Sequence, residues 1–206
     1  MLLEINPHNI DPRKISTVVE VLKSNGIVIF PTDSVYAMGC SLNSIKGIKE
    51  LTKIKGAKAT KNNLSLICHD LSSLSEFTKQ VDRRVFRIMN SCLPGPYTFI
   101  LNASNKIPKL FDTNKKTVGI RIPDSPIVMA VIISLGVPLV VTSIHAEDEI
   151  IEYSTDPYEI FQRFENLVDI VIDGGYGNNI ASTVIDCTSG DVEIIREGAG
   201  EINFME

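Results

Sequence analysis

The sequence predicts an α/β (α+β) domain, helices around a mixed β-sheet, on three observations. Apolar runs of strand length alternate with helix-period segments early in the chain, and strand-like runs crowd its end. Several of these runs are apolar throughout, the pattern of strands covered on both faces. The 206 residues, 44% hydrophobic and 22% charged, are enough for one substantial core, and no repeat or low-complexity segment interrupts them. A single domain over residues 1–206 is expected.

Asp11 is placed to cap a first helix, Pro12 suits its first turn, Ile15, Val18, Val19 and Leu22 recur at helical spacing, and Gly26 ends it. Gly26–Phe30, stopped by Pro31, reads as a buried strand. Ser44 opens a second helix through Ile45, Ile48 and Leu51, with lysines on its outer side. A loop from Gly56 to Asn63 leads to a strand at Leu64–Cys68. Val85, Phe86 and Met89 mark a helix whose polar face carries Arg83, Arg84 and Arg87, and Pro94-Gly95-Pro96 turns the chain into a strand at Tyr97–Leu101. Over Thr117–Ile122, alternation puts Val118, Ile120 and Ile122 on one face and Thr117, Gly119 and Arg121 on the other. Ser125 and Pro126 start an apolar helix, which Gly136 and Pro138 separate from a strand at Leu139–Thr142. A helix around Pro157–Phe164 and strands at Leu167–Ile172, Ser182–Asp186 and Val192–Arg196 follow.

Charge is unevenly placed. Residues 1–144 carry 18 Lys and Arg against 10 Asp and Glu, whereas residues 145–206 carry 2 against 15. The densest basic run is Lys46, Lys49, Lys53, Lys55, Lys58 and Lys61. It reads either as a solvated surface or as the seat of an anionic ligand. The first residues lack the basic and apolar regions of a secretory leader, and Ile127–Val141 is too short and too broken to span a bilayer. The four cysteines form no CxxC pair. A soluble cytoplasmic protein with no membrane contact, disulfide framework or bound structural metal is expected.

Chemistry concentrates at strand ends, where ligands of open α/β sheets gather. Pro31-Thr32-Asp33-Ser34 is either a hydroxyl-bearing contact or a turn whose side chains bond their own backbone. Lys53–Lys61 offers mobile cations for phosphate without the GxxxxGK[ST] pattern, and GxGxxG is absent. Thr142-Ser143-Ile144-His145 places two hydroxyls and an imidazole after a strand, and no GxSxG marks a hydrolase.

These residues also carry a family pattern. Gly26-Ile-Val-Ile-Phe-Pro-Thr-Asp-Ser-Val-Tyr-Ala-Met-Gly39 resembles the opening motif of the YrdC-like family, the threonylcarbamoyl-adenylate synthases. Pro94-Gly-Pro-Tyr-Thr98, Val118-Gly-Ile-Arg-Ile-Pro123, Val141-Thr-Ser143, Ser182-Thr-Val-Ile-Asp186 and Ile195-Arg-Glu-Gly198 follow in the family's order. The motif-bearing part spans about 12–198, and Leu66-Ile-Cys-His-Asp-Leu71 with Gly174-Gly-Tyr176 is most similar to the YciO branch.

The resemblance implies a twisted mixed sheet folded around an open basic basin. It also implies a nucleotidyltransferase that joins ATP, bicarbonate and L-threonine or a related amino acid into a carbamoyl-adenylate for tRNA modification, with Mg2+ assisting. Carried over by motif, Lys53, Lys55, Ser143 and His145 fall at the catalytic positions. Lys53, Lys55, Thr98, Ser143 and Arg196 fall on the ATP side, Thr32, Arg121 and Ser182 on the amino-acid side, and Asn62 at a further contact position. Two elements depart from the synthase pattern. Lys-x-Arg becomes Lys53-Ile-Lys55, which keeps the charge and loses the bidentate fork, and Ser-x-Asn becomes Ser143-Ile-His145. The alternative is an RNA-binding protein, for double-stranded RNA or tRNA, that uses the basin without turnover.

Overall fold

The computed structural model describes residues 1–55, 64–107, 116–144 and 154–203. Among them the chain runs β1 (Leu2–Glu4), α1 (Pro12–Lys23), β2 (Val28–Phe30), β3 (Ala37–Ser41), α2 (Ile45–Ile54), β4 (Ser65–Ile67), α3 (Leu74–Phe77), α4 (Arg83–Cys92) and β5 (Tyr97–Asn102). It continues with β6 (Thr117–Arg121), α5 (Pro126–Leu135), β7 (Leu139–Ser143), α6 (Pro157–Phe164), β8 (Ile170–Asp173), β9 (Thr183–Asp186) and β10 (Glu193–Arg196).

Helix starts follow their capping chemistry. The Asp11 carboxylate accepts from Arg13 N–H ahead of Pro12, and Ser44 Oγ accepts from Gly47 N–H. The left-handed residue after α1 is Asn25, with φ 69°, rather than the expected Gly26. Gly26 is needed for a different reason: a Cβ there would sit 2.4 Å from Val21 Cγ1.

The ten strands form one mixed sheet in the order β1-β8-β2-β3-β7-β4-β6-β5-β9-β10. The β1–β8, β2–β8, β4–β6 and β5–β9 pairs are parallel and the rest antiparallel. Strand β3, to whose residues the sequence reading assigned no element, is a central strand held between β2 and β7.

Alternation along the strands sends side chains to two cores. On one face α1 and α5 pack Val18, Leu22 and Val131 over Phe30, Ile67 and Val141. On the other, α2, α4 and α6 pack Leu51, Met89 and Ile160 over Met38, Val140, Ile120 and Phe99. Each fully buried side chain of this size contributes about 1.5–3 kcal/mol, so both faces of the central strands are firmly specified. Among the described residues no helix is long and apolar enough to cross a membrane.

Candidate functional site

Strands β6, β5, β9 and β10 place a row of polar groups on one face. Val118, Ile120 and Ile122, Phe99 and Leu101, and Ile185 point into the core shared with α2 and α4. Their neighbours Arg121, Thr98 and Val184 therefore face the other way. Phe99 pairs with Ile120, Thr98 with Val184, and Val184 with Arg196, which aligns Arg121, Thr98, Val184 and Arg196 across four strands. Arg196 reaches this face through a β-bulge: Ile194 pairs with Ile185 but Arg196 with Val184, leaving Ile195 as the extra residue. Plain alternation over Val192–Arg196 would instead have put Arg196 on the face of Ile194.

The row is tied together by hydrogen bonds. Thr98 Oγ1 lies 2.8 Å from Ser182 Oγ, and both residues are buried. Arg196 donates from Nη2 and Nε to the Ser182 carbonyl at 2.8 and 3.2 Å. Gly119, on the same face, accommodates its neighbours by having no side chain: a Cβ there would lie 2.5 Å from Ser65 Oγ and 3.2 Å from Thr98 Cγ2.

Arg121 is the centre of the group. It is only 6% exposed, and its Nη2 donates to Ser34 Oγ at 2.8 Å and to Asp33 Oδ1 at 3.2 Å. Its Nε is buried with no hydrogen-bond partner among the described residues. Burial pushes the guanidinium below its ordinary pKa; Asp33 counters this, and Arg196 adds to it. Asp33 is raised, by burial first and against the pull of Arg121. In both groups burial opposes the charged form and the partner's charge supports it. The guanidinium nonetheless stays protonated, because an arginine starts far above the neutral range. Arg196 makes no ion pair among the described residues, and its charge acts on Arg121. An orphaned donor beside surplus positive charge is chemistry suited to an anion.

The turn after β2 contributes the partners of Arg121. Thr32 Oγ1 donates to Val35 O at 2.7 Å and accepts from Ser34 N–H and from Ser34 Oγ, both at 3.2 Å, so its proton and its lone pairs are engaged within the turn. The side chains of this turn bond locally, as its turn reading expects, while Asp33 and Ser34 also reach a strand nearly ninety positions away. Tyr36 Oη donates to Gly175 O at 2.8 Å and joins this turn to the segment after β8.

A second cationic group lies at the end of β7. Lys55, just after α2, donates to Thr142 Oγ1, and burial lowers its pKa to about 8. Thr142 follows the parity of Val140 and Ile144, whereas Ser143 follows Val141, so Lys55 approaches from the α2 side and Ser143 points to the arginine side. Ser143 pairs with Ala37, and Ile144 N–H donates to Tyr36 O at 3.3 Å, which brings the β7 end beside the Thr32–Tyr36 turn. Lys53 points outward, 77% exposed and 3.3 Å from Glu50. His145 and Asn62 lie outside the described residues, as do Lys58 and Lys61.

Thr98, Ser182, Arg196 and Arg121 thus come together, with Thr32 joined through Ser34; Ser143 shares their face at the end of β7, whereas Lys55 lies on the opposite face of that strand. Sequence reasoning included Asp33 and Ser34 in the Pro31–Ser34 candidate without giving them Arg121 as partner, and it left out Ser65 and Gly119 as site-forming residues. Only the in-strand glycine carried a local signal. Among the described residues no three His, Cys, Asp or Glu side chains gather to hold a metal ion.

Comparisons with known proteins follow the same lines. Residues 20–198 match the family described as "Telomere recombination" (Sua5, YciO, YrdC). The chain is 37% identical over 200 residues to YciO of Escherichia coli (strain K12), covering 96% of this chain and 95% of that protein. The crystal structure of E. coli YciO superposes with a TM-score of 0.90 at 35% identity, over 100% of this chain and 99% of that one. Threonylcarbamoyl-AMP synthase of Bacillus subtilis (strain 168) is 26% identical over 190 residues, 91% of this chain and 54% of the synthase. P. abyssi Sua5 complexed with L-threonine shares the fold, with a TM-score of 0.86 at 24% identity over 96% of this chain and 57% of that one. Motif order, sheet topology and these likenesses agree, and the chain belongs to the Sua5/YciO/YrdC family.

Proposed function

We propose that this protein is a nucleotidyltransferase of the threonylcarbamoyl-AMP synthase type, acting on ATP, bicarbonate or CO2, and L-threonine or a similar small amino acid. The observation that carries this reading is the buried Arg121 guanidinium, with an unpartnered Nε, in one row with Thr98 and Arg196. The likeness to a synthase and to a Sua5 complexed with L-threonine supports it.

The chemistry asks little covalent work of the protein. The amino-acid amine adds CO2 and loses a proton to give a carbamate. A carbamate oxygen then attacks the α-phosphorus of ATP, the bond to the bridging oxygen breaks, and pyrophosphate leaves with the electron pair. Such a transfer needs positioning and charge stabilisation more than a nucleophilic side chain. In this reading Thr98, Arg196, Ser143, Lys55 and Lys53 keep the nucleotide side, and Arg121, Ser182 and Thr32 the amino-acid side, that the resemblance gives them. His145 and Asn62 keep the roles given by the resemblance. Mg2+ would enter with the phosphates. The product would serve tRNA modification in the cytoplasm.

Incubation with ATP, L-threonine and bicarbonate should release pyrophosphate in a threonine-dependent manner. Release that no small amino acid stimulates would refute the reading. One observation favours RNA binding without turnover: Lys46 and Lys49 of α2 and Arg83, Arg84 and Arg87 of α4 are all exposed on helices that cover the same core. Binding through those residues would weaken steeply with salt.

A further inference from the structure

The two carboxylate oxygens of Asp33 are both committed. Oδ1 accepts from Arg121 Nη2 at 3.2 Å, and Oδ2 accepts from Asp124 N–H at 2.9 Å. The Asp33 and Arg121 side chains are 8% and 7% exposed. Asp33 therefore links the turn after β2 to both the last residue of β6 and the segment that follows it. Ser125 Oγ, donating to Pro31 O at 3.0 Å, closes the same junction one residue further along.

The consequence for Arg121 is geometric. A guanidinium has five N–H donors in a rigid plane, and Asp33 and Ser34 engage only Nη2. Pinning that one nitrogen from two directions fixes the orientation of the whole fork, including the buried Nε that has no partner among the described residues. We infer that Asp33 is a positioning residue: it touches no ligand itself but locks Arg121 so that Nε–H is held ready for an anionic group of the ligand. This rests on the function proposed above for the ligand's identity and on the geometry alone for the locking.

The sign of the effect separates this role from simple electrostatics. Asp33 is a negative charge beside an anion site, so removing the charge alone should strengthen anion binding. Positioning requires the opposite. Asp33→Asn keeps the shape and one acceptor for Nη2, but loses the charge and the contact to Asp124 N–H. It should weaken L-threonine or ATP binding, measured by titration calorimetry, about tenfold. Arg121→Lys, which keeps the charge without the fork, should cost about as much, and Asp33→Asn in the Arg121→Lys background should cost almost nothing more.

A ligand-free measurement decides the locking separately. In the parent, the Arg121 Nε–H should give a resolved, slowly exchanging 15N resonance, and in Asp33→Asn this should broaden or exchange faster while the melting curve stays cooperative. An unchanged resonance would overturn the inference, as would tighter binding in Asp33→Asn or a full tenfold loss persisting in the Arg121→Lys background. Should Asp33→Asn not fold, Asp33→Glu, which keeps the charge at a displaced position, supplies the same resonance test. A parent that binds neither ATP nor L-threonine would refute the function proposed above, and the resonance arm would still rule on Asp33.

Discussion

Arg121 and Lys55 are both cations withdrawn from solvent, on opposite faces of the sheet, and they are held in different ways. Arg121 sits inside the sheet with a carboxylate and a hydroxyl on one nitrogen, and its protonation is fixed because its ordinary pKa is so high. Lys55 emerges after a helix, leans on one threonine hydroxyl, and has no carboxylate beside it among the described residues, so burial lowers its pKa to about 8. The first arrangement supplies a permanent, oriented charge and commits the fold to it. The second supplies a charge that titrates near the working range.

The comparison breaks most visibly if Arg121 is removed. Arg121→Met leaves Asp33 buried without its partner, and stripping one member from a buried pair typically costs about 3–5 kcal/mol. Urea denaturation should show a loss of that order, and adding Asp33→Asn should recover a good part of it. A loss below about 1 kcal/mol would mean that Asp33 finds solvent or another partner.

Next in size is Gly119→Ala. The new methyl meets Ser65 Oγ at 2.5 Å and Thr98 Cγ2 at 3.2 Å, between strands that are paired on both sides. Overpacking of this kind costs about 1–3 kcal/mol. It also presses on Thr98, so ATP affinity should fall alongside the melting temperature. An alanine tolerated at full stability would show that Ser65 swings aside freely.

The two regions also differ in how much of them the sequence makes legible. Lys55 was visible because a basic run is local, and its helix announced itself through the Ser44 cap and the spacing of Ile48 and Leu51. The face of Arg121 was visible too, since alternation over Val118–Ile122 requires it. Its partners were not, because nothing in Pro31–Ser34 signals a contact 88 positions away. Arg196 was matched by motif but its orientation was not legible, because the bulge at Ile195 reverses what alternation implies. Strand β3 was missed for a related reason: Ala37-Met-Gly-Cys-Ser41 has no β-branched residue, and the pairing of both its edges overrides its weak propensity. The edge strand Leu2–Glu4 and the single turn Leu74–Phe77 were too short to carry a period. The register that gathers the site is a property of pairing across four strands, and no window of sequence contains it.

A smaller effect should sharpen the contrast through pH. The lowered pKa means that Lys55 loses its positive charge as pH rises through about 8, so its contribution to binding an anion falls over that range. Stability moves the other way. The folded value lies below the ordinary 10.5, so the unfolded chain holds the extra proton between about 8 and 10.5 and the folded state gains relative stability across that window. ATP affinity measured from pH 7 to 9 should decline in the parent, and Lys55→Arg, charged throughout, should flatten that phase. A profile identical in the two proteins would remove Lys55 from the nucleotide side.

The least effect is expected two residues earlier. Lys53 is 77% exposed and paired at i,i+3 with Glu50, an arrangement whose contribution to stability is usually within about 0–1 kcal/mol. What it adds to nucleotide binding must act through water, and a charge in water is screened beyond a Debye length of about 8 Å at physiological ionic strength. Lys53→Ala should therefore weaken ATP binding about two- to threefold at low salt, and the difference should fade as salt is raised. The loss from Lys55→Ala, whose ammonium is partly shielded from ions, should persist across the same series. Salt sensitivity thus orders the two lysines by depth, and a Lys53→Ala effect that survives high salt would mean that its side chain turns inward when the nucleotide binds.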